Sequence, residues 1–114
     1  MPGVPSPRRC AAGAALLACL AAPALAAPAL AAGDRAFGEH LASECVACHQ
    51  LTGRYQGIPP IVAWPEETFV AVMNGYRLKV RPNPVMQTIA ARLSHEEIAA
   101  LAAYFGSLPA PPAQ

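Results

Sequence analysis

The chain has 114 residues, with eight Lys or Arg against seven Asp or Glu and a formal net charge of +1, which leaves room for one small domain at most. This near balance of charge gives no reason to expect nucleic acid as a partner. Four cysteines are present, of which only Cys45 and Cys48 lie beyond residue 32.

Residues 1–32 do not read as folded protein. Arg8 and Arg9 precede a run rich in Ala and Leu that ends in small residues, the layout of a cleaved secretory signal peptide. Ala24-Leu25-Ala26 and Ala29-Leu30-Ala31 both fit the cleavage rule, and the second is preferred because charged sequence begins at Asp34. Pro23 and Pro28 break the apolar run, so a spanning helix of roughly 20 apolar residues is the weaker reading. The expected location is therefore the periplasm. Leu16-Leu17-Ala18-Cys19 resembles a lipoprotein box, and acylation at Cys19 would be the only route to a membrane. The sequence after Cys19 stays apolar, unlike a polar tether.

After the leader the cations are Arg35, Arg54, Arg77, Lys79, Arg81 and Arg92. A domain this small buries little apolar surface and usually needs a staple. Its two cysteines, Cys45 and Cys48, are too close to close a stabilising loop.

Four short helices and no strand are expected over residues 33–108, an all-α domain. The first runs from Asp34, a plausible N-cap, up to Cys45, with Phe37, Leu41 and Cys45 on one face. Residues 50–64 hold Gly53, Gly57, Pro59 and Pro60 and read as loop. Pro65 suits the first position of a second helix whose Glu66 and Glu67 favour the helix dipole. Phe69, Val70 and Met73 form its apolar face, and Asn74-Gly75 reads as its end. Tyr76 to Pro82 reads as a basic loop. Asn83 and Pro84 read as cap and first residue of a third helix bearing Met86, Ile89, Ala90 and Leu93. Ser94 and Glu97 form a capping-box pattern that opens a last helix with Ile98, Leu101, Ala102 and Phe105, stopped at Gly106. The Pro-rich tail, residues 109–114, is expected to fray.

Cys45-Val46-Ala47-Cys48-His49 is the Cys-x-x-Cys-His pattern of covalent haem attachment. One helical turn separates the thiols, which suits addition to two neighbouring porphyrin vinyl groups, and His49 then follows within reach of the iron. A zinc site would need a second pair of ligands, and only isolated His40 and His95 remain. A thioredoxin-type pair would need a βαβ setting that this sequence does not offer. One covalent haem c is therefore the expected cofactor.

Candidates for the second axial ligand are Met73, Met86, His40 and His95. Met73 lies on an apolar face with Phe69 and Val70, where Met usually packs as core. His40 is too near His49 in sequence to reach the opposite face, and His95 sits beside two glutamates as a solvated residue. Met86 follows a Pro-containing segment able to wrap under the ring and is the expected ligand. His/Met ligation of a closed iron suits electron transfer. His49 should donate its other ring proton to an acceptor, for which the carbonyls around Pro59 and Pro60 are candidates. Trp64, Tyr76 and Tyr104 either line the ring or pack as core. Arg77, Lys79 and Arg81 read as a solvated loop or as a docking surface weakened by salt.

Cys45 to His49, the later Met86 and the ending Leu101-Ala102-Ala103-Tyr104-Phe105 resemble a small class I cytochrome c. The resemblance implies that the first and last helices cross, bringing the Phe37/Leu41 face against the Leu101/Phe105 face. Phe69-Val70-x-Val72-Met73-x-Gly75-Tyr76-Arg77, followed by Met86, Ile89-Ala90, Ser94 and Tyr104-Phe105, is similar to the haem subunit of flavocytochrome c sulfide dehydrogenase. That likeness implies Met86 as distal ligand and, with one motif, a monohaem subunit. It further implies a flavoprotein partner, an FAD subunit that oxidises sulfide and passes electrons to the haem, and a downstream cytochrome or oxidase. On this reading the chain has no catalytic residues of its own. The alternative is a free monohaem cytochrome c serving a terminal oxidase or another dehydrogenase.

Overall fold

The computed structural model describes Gly3 and residues 33–113; apart from Gly3, the expected leader with its cleavage sites and Cys19 lies outside the described residues. Among the described residues there are four α-helices and no strand: α1 Arg35–Leu41, α2 Glu66–Arg77, α3 Pro84–Ala91 and α4 His95–Ser107. The domain is all-α, as its sequence implies. No helix among the described residues is long and apolar enough to cross a membrane.

Three helices start where a short polar side chain caps them. The Asp34 carboxylate accepts from Phe37 N at 3.1 Å, and the Asn83 side-chain oxygen accepts from Met86 N at the same distance. At α4 the box closes both ways: the Ser94 hydroxyl accepts from Glu97 N at 3.1 Å, and Glu97 accepts from Ser94 N at 2.7 Å. Each cap satisfies a backbone donor that the helix itself cannot. Pro65 sits one position earlier than expected, as the N-cap of α2, where its carbonyl accepts from Thr68 N and Phe69 N.

The core is built around α4. Ile98, Leu101 and Phe105 are essentially inaccessible, and Ala100 and Ala102 are buried with them. Burying three large apolar side chains contributes about 1.5–3 kcal/mol apiece. Phe105 stacks on Phe69 of α2 with ring centroids 5.8 Å apart and meets Tyr104 edge-on at 5.2 Å. Packing of α2 on both α3 and α4, and of α1 on α4, completes the domain. Met73 is buried in this cluster.

Two helices depart from the expected course. α1 ends at Leu41, and a 3-10 turn over Ala42–Glu44 carries the chain to the motif. The Ser43 hydroxyl donates to the His40 carbonyl at 3.2 Å, a local bond of the kind that competes with continued α geometry. The crossing of α1 on α4 is also turned from the expected Phe37/Leu41 face. Gly38 and Ala42 are the buried positions, while Phe37 and Leu41 are half-buried. A side chain at Gly38 would collide with the Ala100 carbonyl and the Tyr104 Cβ. The two backbones therefore approach more closely than bulky side chains would permit.

α2 continues through Gly75 to Arg77, so the basic loop is shorter than expected and begins at Leu78. Its end is made by Lys79, which takes φ 59° and lets the N–H groups of Val80 and Arg81 both reach the Gly75 carbonyl, at 2.9 and 3.0 Å. Residues 50–64 contain no helix. They are tied to α4 where Ala63 N donates to the Phe105 carbonyl at 2.8 Å. The tail residues 109–113 are exposed, although Pro111 lies over Gly53 and Leu108 packs against the core.

Candidate functional site

The motif occupies a turn that leaves the 3-10 segment, and backbone bonds fix its shape. Cys45 N and Val46 N both donate to the Ala42 carbonyl, at 2.9 and 3.0 Å. Cys48 N and His49 N donate to the Cys45 carbonyl, at 3.1 and 2.8 Å. The two thiols and the imidazole are thus held on one tight turn. Cys45 is half-buried against the core, Cys48 is exposed, and both are free thiols.

His49 is oriented from outside the turn. Its Nδ1 lies 2.7 Å from the Pro59 carbonyl oxygen, ten residues on. A carbonyl only accepts, so Nδ1 carries a proton, and in the neutral ring it is Nε2 that presents the lone pair. One of the two acceptors named from the sequence therefore holds the ring, in the second-shell arrangement usual for metal-ligating histidines.

Burial pushes the Cys45 thiol above its ordinary pKa, and the neighbouring Glu44 and Cys48 charges push the same way. An attacking thiol in a dithiol redox pair is activated by the opposite shift. Cys45 is therefore a poor nucleophile in its own environment.

Cys45 borders a groove of about 320 Å³ whose walls bring three segments together: His40 and Leu41 from α1, Ile89 and Leu93 from α3 and its exit, and Leu101 from α4. Arg92 and Glu44 meet across its rim at 3.4 Å, with side chains 63 and 74 % exposed. An ion pair so solvated stabilises by about 0–1 kcal/mol. Cys48 borders a separate hollow of about 190 Å³ with Gln50, Arg54, Gln56 and Ile58. Arg54 and the Arg92–Glu44 pair were not singled out by sequence, and no local pattern marks them.

No family model and no curated relative matches the chain.

The other sequence candidates fall in distinct settings. Met86 is half-buried in the first turn of α3 and borders the same core cluster as Cys45 and Val46. His40 is exposed in the last turn of α1. His95 is exposed too, but its Nε2 lies 3.1 Å from Arg77 Nη1 and accepts from that guanidinium. Tyr104 is buried, whereas Trp64 and Tyr76 are half-buried at the edge of the core. Among the described residues, no three His, Cys, Asp or Glu side chains converge as a metal site.

The donor set fits a covalently tethered haem better than a bare metal ion. Two free thiols and a histidine share one turn, the lone pair of the neutral histidine is fixed at Nε2, and a groove of mixed lining, with Leu41, Ile89, Leu93 and Leu101 beside Glu44, Arg92 and Glu97, adjoins Cys45. Several large apolar side chains remain exposed, Leu51, Tyr55, Ile58, Leu78, Val80 and Val85. Leu51, Tyr55 and Ile58 lie on the loop after the motif, Leu78 and Val80 on the loop before α3, and Val85 in the first turn of α3 next to Met86.

Proposed function

We propose that the chain is a single-haem electron carrier with the class I cytochrome c fold, working in the periplasm. The observation that carries this reading is the His49–Pro59 hydrogen bond at 2.7 Å, which sets the imidazole tautomer beside a Cys-x-x-Cys pair. Cys45 and Cys48 would hold one haem c through thioether bonds, and His49 and Met86 would be its axial ligands. A bound haem supplies a one-electron iron couple.

The residues of the chain have their own tasks in this scheme. The bonds from the Cys48 and His49 N–H groups to the Cys45 carbonyl keep both thiols and the imidazole in register. The Pro59 carbonyl holds the proton on Nδ1, and so keeps Nε2 basic. Leu41, Ile89, Leu93 and Leu101 give the groove beside Cys45 an apolar wall against which a porphyrin edge would pack. Asn83 caps α3 and fixes where Met86 starts its turn.

The role we propose is the electron-accepting haem subunit of a flavoprotein sulfide dehydrogenase, which passes electrons on to a further cytochrome or oxidase. The resemblance of Phe69 to Arg77, Met86 and Tyr104-Phe105 to such subunits supports it. The chain itself would perform no catalysis.

Gentle purification from periplasm, followed by sulfide addition, tests both levels. Covalent haem in the purified chain, flavin in the same fractions and rapid reduction by sulfide are the expected results. Haem without flavin, reduced only when a separate dehydrogenase is added, would make it a freely diffusing carrier. A chain without covalent haem would overturn the whole reading.

A further inference from the structure

Arg81 is exposed, yet four separate contacts hold it in one place. Its Cδ and Cγ cross the helix at Gly75 so closely that a Cβ there would sit 2.8 and 2.9 Å from them. Its guanidinium carbon lies 5.2 Å from the centroid of the Tyr76 ring, within cation–π range. Its own N–H and that of Val80 donate to the Gly75 carbonyl. Its carbonyl accepts from Gln87 Nε2 at 2.8 Å. The first three contacts fasten the loop to the end of α2, and the fourth reaches the residue after Met86.

From this convergence we infer that Arg81 is a positioning residue for Met86: it clasps the 78–83 loop against Gly75 and Tyr76 and so fixes the first turn of α3. The inference rests on the proposed ligation of iron by Met86. Residues 78–83 carry no regular structure; backbone bonds from Leu78 to Arg81 tie the first half to the end of α2, and beyond Arg81 the approach to α3 has only the Gln87 bond and the Asn83 cap. Without the Arg81 side chain, the backbone bonds and the Asn83 cap remain, but the loop loses its hold on Gly75 and the Tyr76 ring, and the start of α3 is freer to shift. Met86 then leaves the iron more often, and an outside ligand that needs the vacated position binds better in proportion to that population.

Gly75 is part of the same device. A glycine inside a helix costs stability, and the sequence reads Gly75 as a helix end, whereas it lies within the last turn of α2. In the fold it is the floor on which the Arg81 stem lies.

The experiment titrates the ferric, haem-loaded full chain with imidazole and follows the haem spectrum. It compares wild type with Arg81→Ala, Arg81→Lys, Gly75→Ala and Met86→Ala, and records amide exchange at Val80, Arg81 and Gln87. Arg81→Ala and Gly75→Ala should each raise imidazole affinity roughly tenfold, or about 1.4 kcal/mol, with haem still attached. Exchange at the three amides should quicken in both. Arg81→Lys, which keeps the aliphatic stem, should fall between wild type and Arg81→Ala. Gly75→Ala is decisive, because alanine is the better helix former. Its melting temperature should hold or rise while imidazole affinity rises, whereas a merely structural role would move the two together.

Wild-type imidazole affinity in both Arg81→Ala and Gly75→Ala would overturn the clasp and leave the haem reading intact. If Met86→Ala also titrates as wild type, another residue ligates the iron, and the clasp falls with that assignment. A wild-type chain without attached haem would overturn the proposed function and this inference together.

Discussion

The carbonyl oxygen of Pro59 and the Nδ1 of His49 lie 2.7 Å apart and join the two ends of a loop that contains no helix. This bond settles which ring nitrogen is free, since the acceptor has no proton to offer. Nitrogen NMR of the imidazole in the haem-free chain should find the neutral ring protonated at Nδ1. A neutral ring protonated at Nε2 would remove the lone pair on which His49 ligation depends.

The two cysteines should differ in reactivity before any group is attached to them. Cys45 is half-buried with a raised pKa, so less of it is thiolate at a given pH. Alkylation of the haem-free chain in mildly alkaline buffer should therefore label Cys48 first, as mass spectrometry of timed samples would show. Stability follows the same shift. Below the thiol's unfolded pKa, Cys45 is protonated in both states and its burial carries no charge cost. As the pH rises from there through the raised folded value, the unfolded state loses its proton first and folding weakens. Cys45→Ala should remove that part of the alkaline loss, measured by denaturant melts across the range.

Gly38→Ala is expected to destabilise the domain, although in an exposed helix the same change stabilises by about 0.5–1 kcal/mol. The new methyl would meet the Ala100 carbonyl and the Tyr104 Cβ, neither able to swing aside. A cost of about 1–3 kcal/mol follows from overpacking such a contact. Thermal melts of the two forms decide the sign.

What the sequence made legible was local chemistry. Asp34, Asn83 and Ser94 each bond to a backbone N–H three residues on, so the cap and its helix are written side by side. The spacing of Cys45, Cys48 and His49 is legible for the same reason. Glycine was misleading because its two uses look alike in a string of letters. Gly75 reads as a helix end but serves as a floor for Arg81, and Gly38 carries the α1–α4 approach that Phe37 and Leu41 were expected to make. The real end of α2 is at a lysine with positive φ, which no propensity announces. Contacts such as Arg77–His95 and Arg92–Glu44 join segments far apart in the chain and leave no periodic trace.

Lys79→Gly should stabilise the domain by on the order of 0.5–1 kcal/mol, the relief of a left-handed conformation less the added chain entropy. Lys79→Ala keeps the same strain and should change little. Denaturant melts of both variants separate backbone relief from loss of the charge.

Ser94→Ala removes one half of the α4 capping box and should cost about 1 kcal/mol. Because α4 supplies most of the core, the loss should appear as a lower midpoint of a single transition rather than as local fraying. Glu97→Gln keeps an acceptor for Ser94 N and should cost less.

Gly33 and Gly38 lie against Ala99 and Ala100, and Arg35 Nε donates to the Ser107 hydroxyl at 2.8 Å across 72 positions of sequence. The earliest described helix thus rests on the latest. α1 has only 7 residues, far short of the length at which a helix persists by itself in water. Cys45 leans on the core that Ile98, Leu101 and Phe105 build, so the motif has its support only once the last helix has docked. Whatever chemistry the two thiols undergo before that docking meets them uncovered.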